Sequence, residues 1–155
     1  MTLSNDYLPI YVYFCLYRPV LTYLDLGSCN LTNEGLTHVI NTCRNLTFLG
    51  LSWCENLTLA SLRYLPDLAN LQVLDLSICN GVDDEVLDYV SDISLLHTLS
   101  LSACPEITDD GLISLCRLES LTSLDVASCP GTSLSLSLSL SGCVRVCVYI
   151  LVICV

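Results

Sequence analysis

Cysteine is the residue type in this chain with the most chemistry to offer: eleven among 155 residues. Thiols can cross-link, bind metal or act as nucleophiles, and spacing separates these roles. Cys29, Cys54, Cys79, Cys104 and Cys129 stand 25 residues apart. In a short secreted chain a high cysteine count reads as a disulfide framework. Five cysteines at one fixed interval instead form a column through stacked units, and parallel Cβ vectors suit stacking better than bridging. Reduced thiols in a cytoplasmic or nuclear protein are therefore expected. No C-x-x-C pair occurs, and His38 and His97 are too few and too scattered to complete a zinc set, so no metal site is expected.

The other chemical groups lead no further. Serine is abundant, yet His97, the second residue of its unit, has only Gln72 and Thr122 at the equivalent neighbouring positions. Nucleophile, base and orienting carboxylate do not converge, and no phosphate-cradling glycine loop is present. The chain reads as a non-enzyme without cofactor. The acids Asp83, Asp84, Glu85, Asp109 and Asp110 lack the ligand alternation of a calcium loop. Lying just ahead of apolar-periodic segments, they suit helix N-termini, where they cap free amides and favour the positive end of the dipole.

The elements that would position these residues follow from the repeat. Leu21, Leu46, Leu71, Leu96 and Leu121 share the 25-residue interval, and each unit opens L-x-x-L-x-L-x-x-C, with Val126 for Leu in the last. Leu-x-Leu alternation places two side chains on one face of a short strand. The second half of each unit changes period: Leu62, Leu65, Leu68; Leu87, Val90, Ile93; Leu112, Leu115, Leu118. That three-residue spacing predicts one face of a helix. In the first unit Leu36, Ile40 and Cys43 begin one residue early, as from a slipped loop compensated inside the helix. A strand and a helix repeated five times, each with one apolar face, must stack to close a core. The fold class is thus α/β: a leucine-rich solenoid of five 25-residue repeats over residues 21–131, its curved parallel sheet on the concave side and its helices on the convex side.

Sixteen acidic residues against five basic ones, all arginine, give a formal charge of −11. A phosphate backbone is a poor partner for such a surface, so no nucleic acid is expected. A protein partner is, on the concave face. Down the stack, Tyr23, Phe48, Val73, Thr98 and Ser123 form one stripe, Asp25, Gly50, Asp75, Ser100 and Asp125 a second, and Ser28, Trp53, Ile78, Ala103 and Ser128 a third. Aromatic side chains most often anchor protein interfaces. The partner-binding set is therefore Tyr23, Asp25, Phe48, Trp53, Val73, Asp75, Ile78, His97 and Asp125: an apolar centre with acidic edges, suited to a basic or amphipathic segment. The competing role for Trp53 is packing onto the loop beside Cys54.

The units "LTYLDLGSCNLTNEGLTHVINTCRN" and "LHTLSLSACPEITDDGLISLCRLES" resemble the cysteine-containing leucine-rich repeats of F-box and leucine-rich-repeat proteins. The likeness rests on the five ninth-position cysteines, on "LTNEGL" and "ITDDGL", and on Cys43 three residues before the next unit. It implies the substrate-recognition arm of a cullin-based ubiquitin ligase, with ligase core subunits as further partners of a full-length form. In that family a separate F-box helical module docks to the core, and residues 1–20, "MTLSNDYLPIYVYFCLYRPV", are too short for one. They read as irregular or as part of a preceding repeat, and the chain as a fragment or a free-standing adaptor.

A second class is an extracellular recognition domain. Three N-L-T triplets, at Asn30, Asn45 and Asn56, match the glycosylation acceptor, and an apolar run extends from Tyr7 to Tyr17. Asp6 precedes that run, no Lys or Arg does, and Pro9 interrupts it, which departs from a signal peptide. After Gly131 the repeat dissolves into "TSLSLSLSLSGCVRVCVYILVICV". This run is too short and broken for a membrane-spanning helix. A CT tract read in frame encodes Ser-Leu and a TG tract Cys-Val, so residues 132–155 are expected to be translated microsatellite rather than an evolved domain. A non-functional truncated gene product is thus a third reading.

Overall fold

The computed structural model describes residues 20–133 and the strand Cys147–Tyr149. The expectations for residues 1–19 and for most of the tail lie outside these residues. Five three-residue strands recur once per unit: β1 (Tyr23–Asp25), β2 (Phe48–Gly50), β3 (Val73–Asp75), β4 (Thr98–Ser100) and β5 (Ser123–Asp125). Each pairs in parallel with the next, and the register is the sequence interval itself, Leu24 opposite Leu49, then Leu74, Leu99 and Leu124. A sixth strand, β6 (Cys147–Tyr149), comes from the tail and pairs in parallel with β5, Leu124 opposite Val148.

The helical halves depart from continuous helices. The first unit carries α1 (Asn33–Thr42), and the third α3 (Asp84–Val90). In the second, α2 (Leu59–Leu62) stops after four residues and a 3-10 turn, Leu65–Asp67, follows; in the fourth, α4 (Asp109–Ser114) passes into a 3-10 turn at Leu115–Arg117. The three-residue leucine spacing explains this, because residues three apart eclipse in a 3-10 turn but drift around an α-helix. Pro66 in the first turn of the Leu65–Asp67 segment loses no amide the turn would use.

The slipped first unit is visible as a cap. Thr32 caps α1 by accepting from Gly35, whereas Thr58, Asp83 and Thr108 cap one position later in their units. Asp83 does cap α3, while Asp84, Glu85, Asp109 and Asp110 occupy first turns. Asp84 adds a contact invisible in the repeat pattern: its carboxylate accepts from the Thr108 amide (2.8 Å) and hydroxyl (2.6 Å), clamping one coil to the next. Asn33 does the same for Thr58 and Ser61, at 3.0 and 2.7 Å.

The leucine columns form one core. Leu49, Leu74 and Leu99 are fully buried, as are Leu51, Leu76 and Leu101 beneath the next turn and Leu62, Leu87 and Leu112 from the helices.

Candidate functional site

The thiols are structural. Cys54, Cys79, Cys104 and Cys129 lie in the core, and each donates to the carbonyl 28 residues earlier: Leu26, Leu51, Leu76 and Leu101, at 3.1–3.3 Å. Those carbonyls sit where the strand of the preceding coil ends; Leu26, Leu51 and Leu101 also accept the amide three residues on, and the thiol adds the bond from the next coil, so the column stitches coils together. These four, with Cys29 and Cys116, are thiols and not disulfides. Cys43 is disulfide-bonded, which corrects the expectation of uniformly reduced cysteines. Among the described residues no cluster of His, Cys, Asp and Glu is placed to hold a metal ion, and no helix is long and apolar enough to cross a membrane.

Burial disfavours the thiolate and pushes Cys54 and Cys104 up to about 12, with Cys79 and Cys129 displaced in the same direction. A rise of about three units cuts the thiolate fraction about 1000-fold at neutral pH. Iodoacetamide at pH 8 is therefore expected to modify Cys29 and Cys116 long before the four column thiols, as peptide mapping would show. Cys54 and Cys104 ionise near 9.0 when unfolded and near 12 when folded, so across that window the unfolded chain holds fewer protons. The thiol contribution to stability is complete below pH 9 and is lost as pH rises toward 12. The urea midpoint should fall over that range, and by less in a Cys54→Ala, Cys104→Ala variant.

The concave face carries the predicted partner-binding residues. Tyr23 and Phe48 stack with ring centroids 4.1 Å apart and planes 8° from parallel. Tyr23 is 60% exposed, Trp53 55% and Ile78 38%, while Val73 is half-buried. The acidic stripe has a second occupation. Asp25, Asp75 and Asp125 each accept, through Oδ1, the amide two residues on (Gly27, Ser77, Ala127) at 2.9 Å. These bonds form the turn that ends each strand. Ser77 Oγ also donates to Asp75 (2.6 Å) and lies 2.7 Å from Ser100 Oγ, linking neighbouring members of that stripe.

The third stripe is not strand. Ser28, Trp53, Ile78, Ala103 and Ser128 all have left-handed backbone, φ 56–60°, in the turns after β1 to β5. No period in the sequence announces this, since none of the five is glycine. Trp53 is more than half exposed, and its indole N–H donates to Glu55 Oε1 at 3.1 Å, a partner in the loop beside Cys54 that strand reasoning missed. His97 precedes β4, at the opposite end of the strands from Trp53 and Ile78. It is exposed, with Nδ1 against the Leu95 carbonyl, so the structure does not bring it into the apolar cluster.

The described arginines are all engaged on the helical side. Arg44 pairs with Asp67 (3.6 Å), Arg117 with Asp88 (3.1 Å), and Arg63 lies over the Tyr64 ring at 5.0 Å. The chain has no lysine, so among the described residues no cation neutralises the concave carboxylates. A shallow depression of about 210 Å³, lined by Asp88, Tyr89, Asp92 and Arg117, also lies on the helical side.

A leucine-rich-repeat family model matches residues 19–37 and 94–116. A search of curated protein sequences finds no significant match. Among solved structures, an internalin (inlF) of Listeria monocytogenes is similar over 83% of this chain, with TM-score 0.53 and 21% identity; the chain spans 40% of that internalin's length. Actin-binding site 2 of leiomodin-1 is similar over 98% of this chain and 82% of its own, with TM-score 0.52 and 13% identity. These likenesses are of fold. Repeat pattern, family model and architecture agree on a leucine-rich-repeat solenoid fold.

Proposed function

We propose that the chain is a protein-binding module whose concave face recognises a basic or amphipathic segment, and that it serves as part of the substrate-recognition arm of an F-box-type adaptor of a cullin-based ubiquitin ligase. The observation that supports binding is the exposure of Tyr23, Trp53 and Ile78 on a face whose carboxylates meet no described cation. A stack of strands presents such a face as one extended surface, the use to which solenoids are put. The name of the leiomodin-1 neighbour states that it binds actin, a protein ligand, on the same fold. The ligase role draws on the resemblance of the cysteine-containing units and on the absence of converging catalytic groups in the sequence.

A photo-crosslinking amino acid at Val73, the centre of the face, tests the reading in cells. A protein captured there, and degraded faster when the chain is present, supports the ligase arm. A captured protein with unchanged half-life overturns the ligase role and leaves the binding role.

One observation favours the extracellular alternative. Asn30, Asn45 and Asn56 are exposed while the leucines that follow them, Leu31, Leu46 and Leu57, are buried. The sequon side chains thus face outward, although Asn56 Nδ2 already donates to Asn30 Oδ1 at 2.6 Å. Expression in animal cells separates the readings. A band unshifted by glycosidase is expected for a cytoplasmic or nuclear protein, and a collapsed band places the chain in the secretory route.

A further inference from the structure

Two adjacent turns carry two costs at once. Left-handed backbone is tolerated by glycine and, less well, by small polar residues; for a β-branched residue it is a genuine outlier. Ser28, Ala103 and Ser128 keep the side chain small at this position, but the turns after β2 and β3 carry Trp53 and Ile78. Trp53 is then left more than half in water, at 55% exposure, and Ile78 keeps 38%. Neither conformational preference nor burial accounts for a large apolar residue there. Strain combined with exposure is characteristic of a surface held for contact.

The backbone beneath is fixed. Trp53 N–H donates to the Ser77 carbonyl at 2.9 Å and Ile78 N–H to the Ser102 carbonyl at 2.8 Å, so successive turns are bonded side by side. Asp75 closes the second of these turns through the Ser77 amide, and Glu55 holds the indole N–H. The two side chains are therefore displayed on a preorganised ridge, which lowers the entropy cost of docking. Asp25, Asp75 and Glu55 use one carboxylate oxygen each for these internal bonds and keep the other. The described arginines are elsewhere and the chain is strongly acidic, so an acidic segment is repelled and a basic one attracted.

We infer that Trp53 and Ile78 form an apolar ridge that seats the leucine-like face of an amphipathic, arginine- or lysine-bearing segment of a partner protein, whose cations meet Asp25, Asp75 and Glu55. The inference rests on the concave-face reading above and narrows it to the two left-handed turns.

Trp53 is the only tryptophan in the chain, so its emission reports directly from the ridge. The full chain is titrated with a synthetic helical peptide bearing leucine on one face and arginine on the other. The expected result is a saturable blue shift, weakened by salt and absent with a leucine–glutamate peptide of the same pattern. Ile78→Gly should weaken binding at least about tenfold while leaving the thermal midpoint unchanged or higher, because the backbone strain is relieved. Ser128→Gly relieves the same strain away from the ridge and should leave binding untouched. Equal shifts with both peptides, no shift with either, or undiminished binding by Ile78→Gly overturn the ridge. So does a blue shift that depends on protein concentration alone, which assigns the ridge to a second copy of the chain. Capture at Val73 that persists when the ridge fails shows that the concave-face reading stands without it.

Discussion

Leu74→Ala is expected to lower the unfolding free energy by about 2–5 kcal/mol. Leu74 is the middle residue of β3, fully buried, with Leu49 and Leu99 opposite it on the strands to either side. Its side chain belongs to one continuous core column, and the short strands offer little backbone freedom to collapse around a void. In a solenoid the loss is felt at two interfaces, because each unit is stabilised by both neighbours. Guanidinium unfolding followed by circular dichroism measures it. Leu124→Ala, in the last regular unit, should cost less, and a Leu74 loss below about 0.5 kcal/mol would mean that the column is not packed as described.

Gly81→Ala is expected to cost about 1–3 kcal/mol, from overpacking rather than from a void. A Cβ at Gly81 would stand 1.9 Å from the Leu57 carbonyl oxygen and 3.0 Å from its carbon, both backbone atoms of the preceding coil. No glycine in the described chain has positive φ, so what this residue supplies is space, not conformational freedom. The coil can relieve the clash only by moving away from its neighbour, which strains the bridge from Asp83 to Glu106 and the cap that follows. Gly27→Ala is the comparison, since its nearest obstacle is the rotatable Ser52 hydroxyl at 2.8 Å. Similar midpoints for the two variants would show that the coils are not in backbone contact at Gly81.

Much of the architecture was legible because the repeat acts as its own alignment. A 25-residue interval in Leu24, Leu49 and Leu74 predicts both the parallel pairing and its register, and the strands meet at that interval. The slipped first unit was legible too, as Thr32 capping one position early. The helical halves were less so: apolar spacing of three reports a buried face but does not distinguish an α-turn from a 3-10 turn, and Leu62, Leu65 and Leu68 span both. On the concave face, alternation placed Tyr23, Phe48 and Val73 correctly in strands, yet assigned Trp53 and Ile78 to the same strands when they belong to the turns.

What the sequence alone determined was therefore everything that repeats: the solenoid, the strand register, the leucine core and the buried cysteine column, because burial of one apolar face per unit is a periodic requirement that leaves a periodic trace. Tertiary structure alone decided what passes between coils. The thiols are spent on carbonyls 28 residues away, Asp84 clamps the next unit, the concave aspartates close turns, and Trp53 and Ile78 stand out on left-handed backbone. Those choices depend on which polar groups the stacking leaves unsatisfied and on how closely the coils approach, and neither quantity is written in a period.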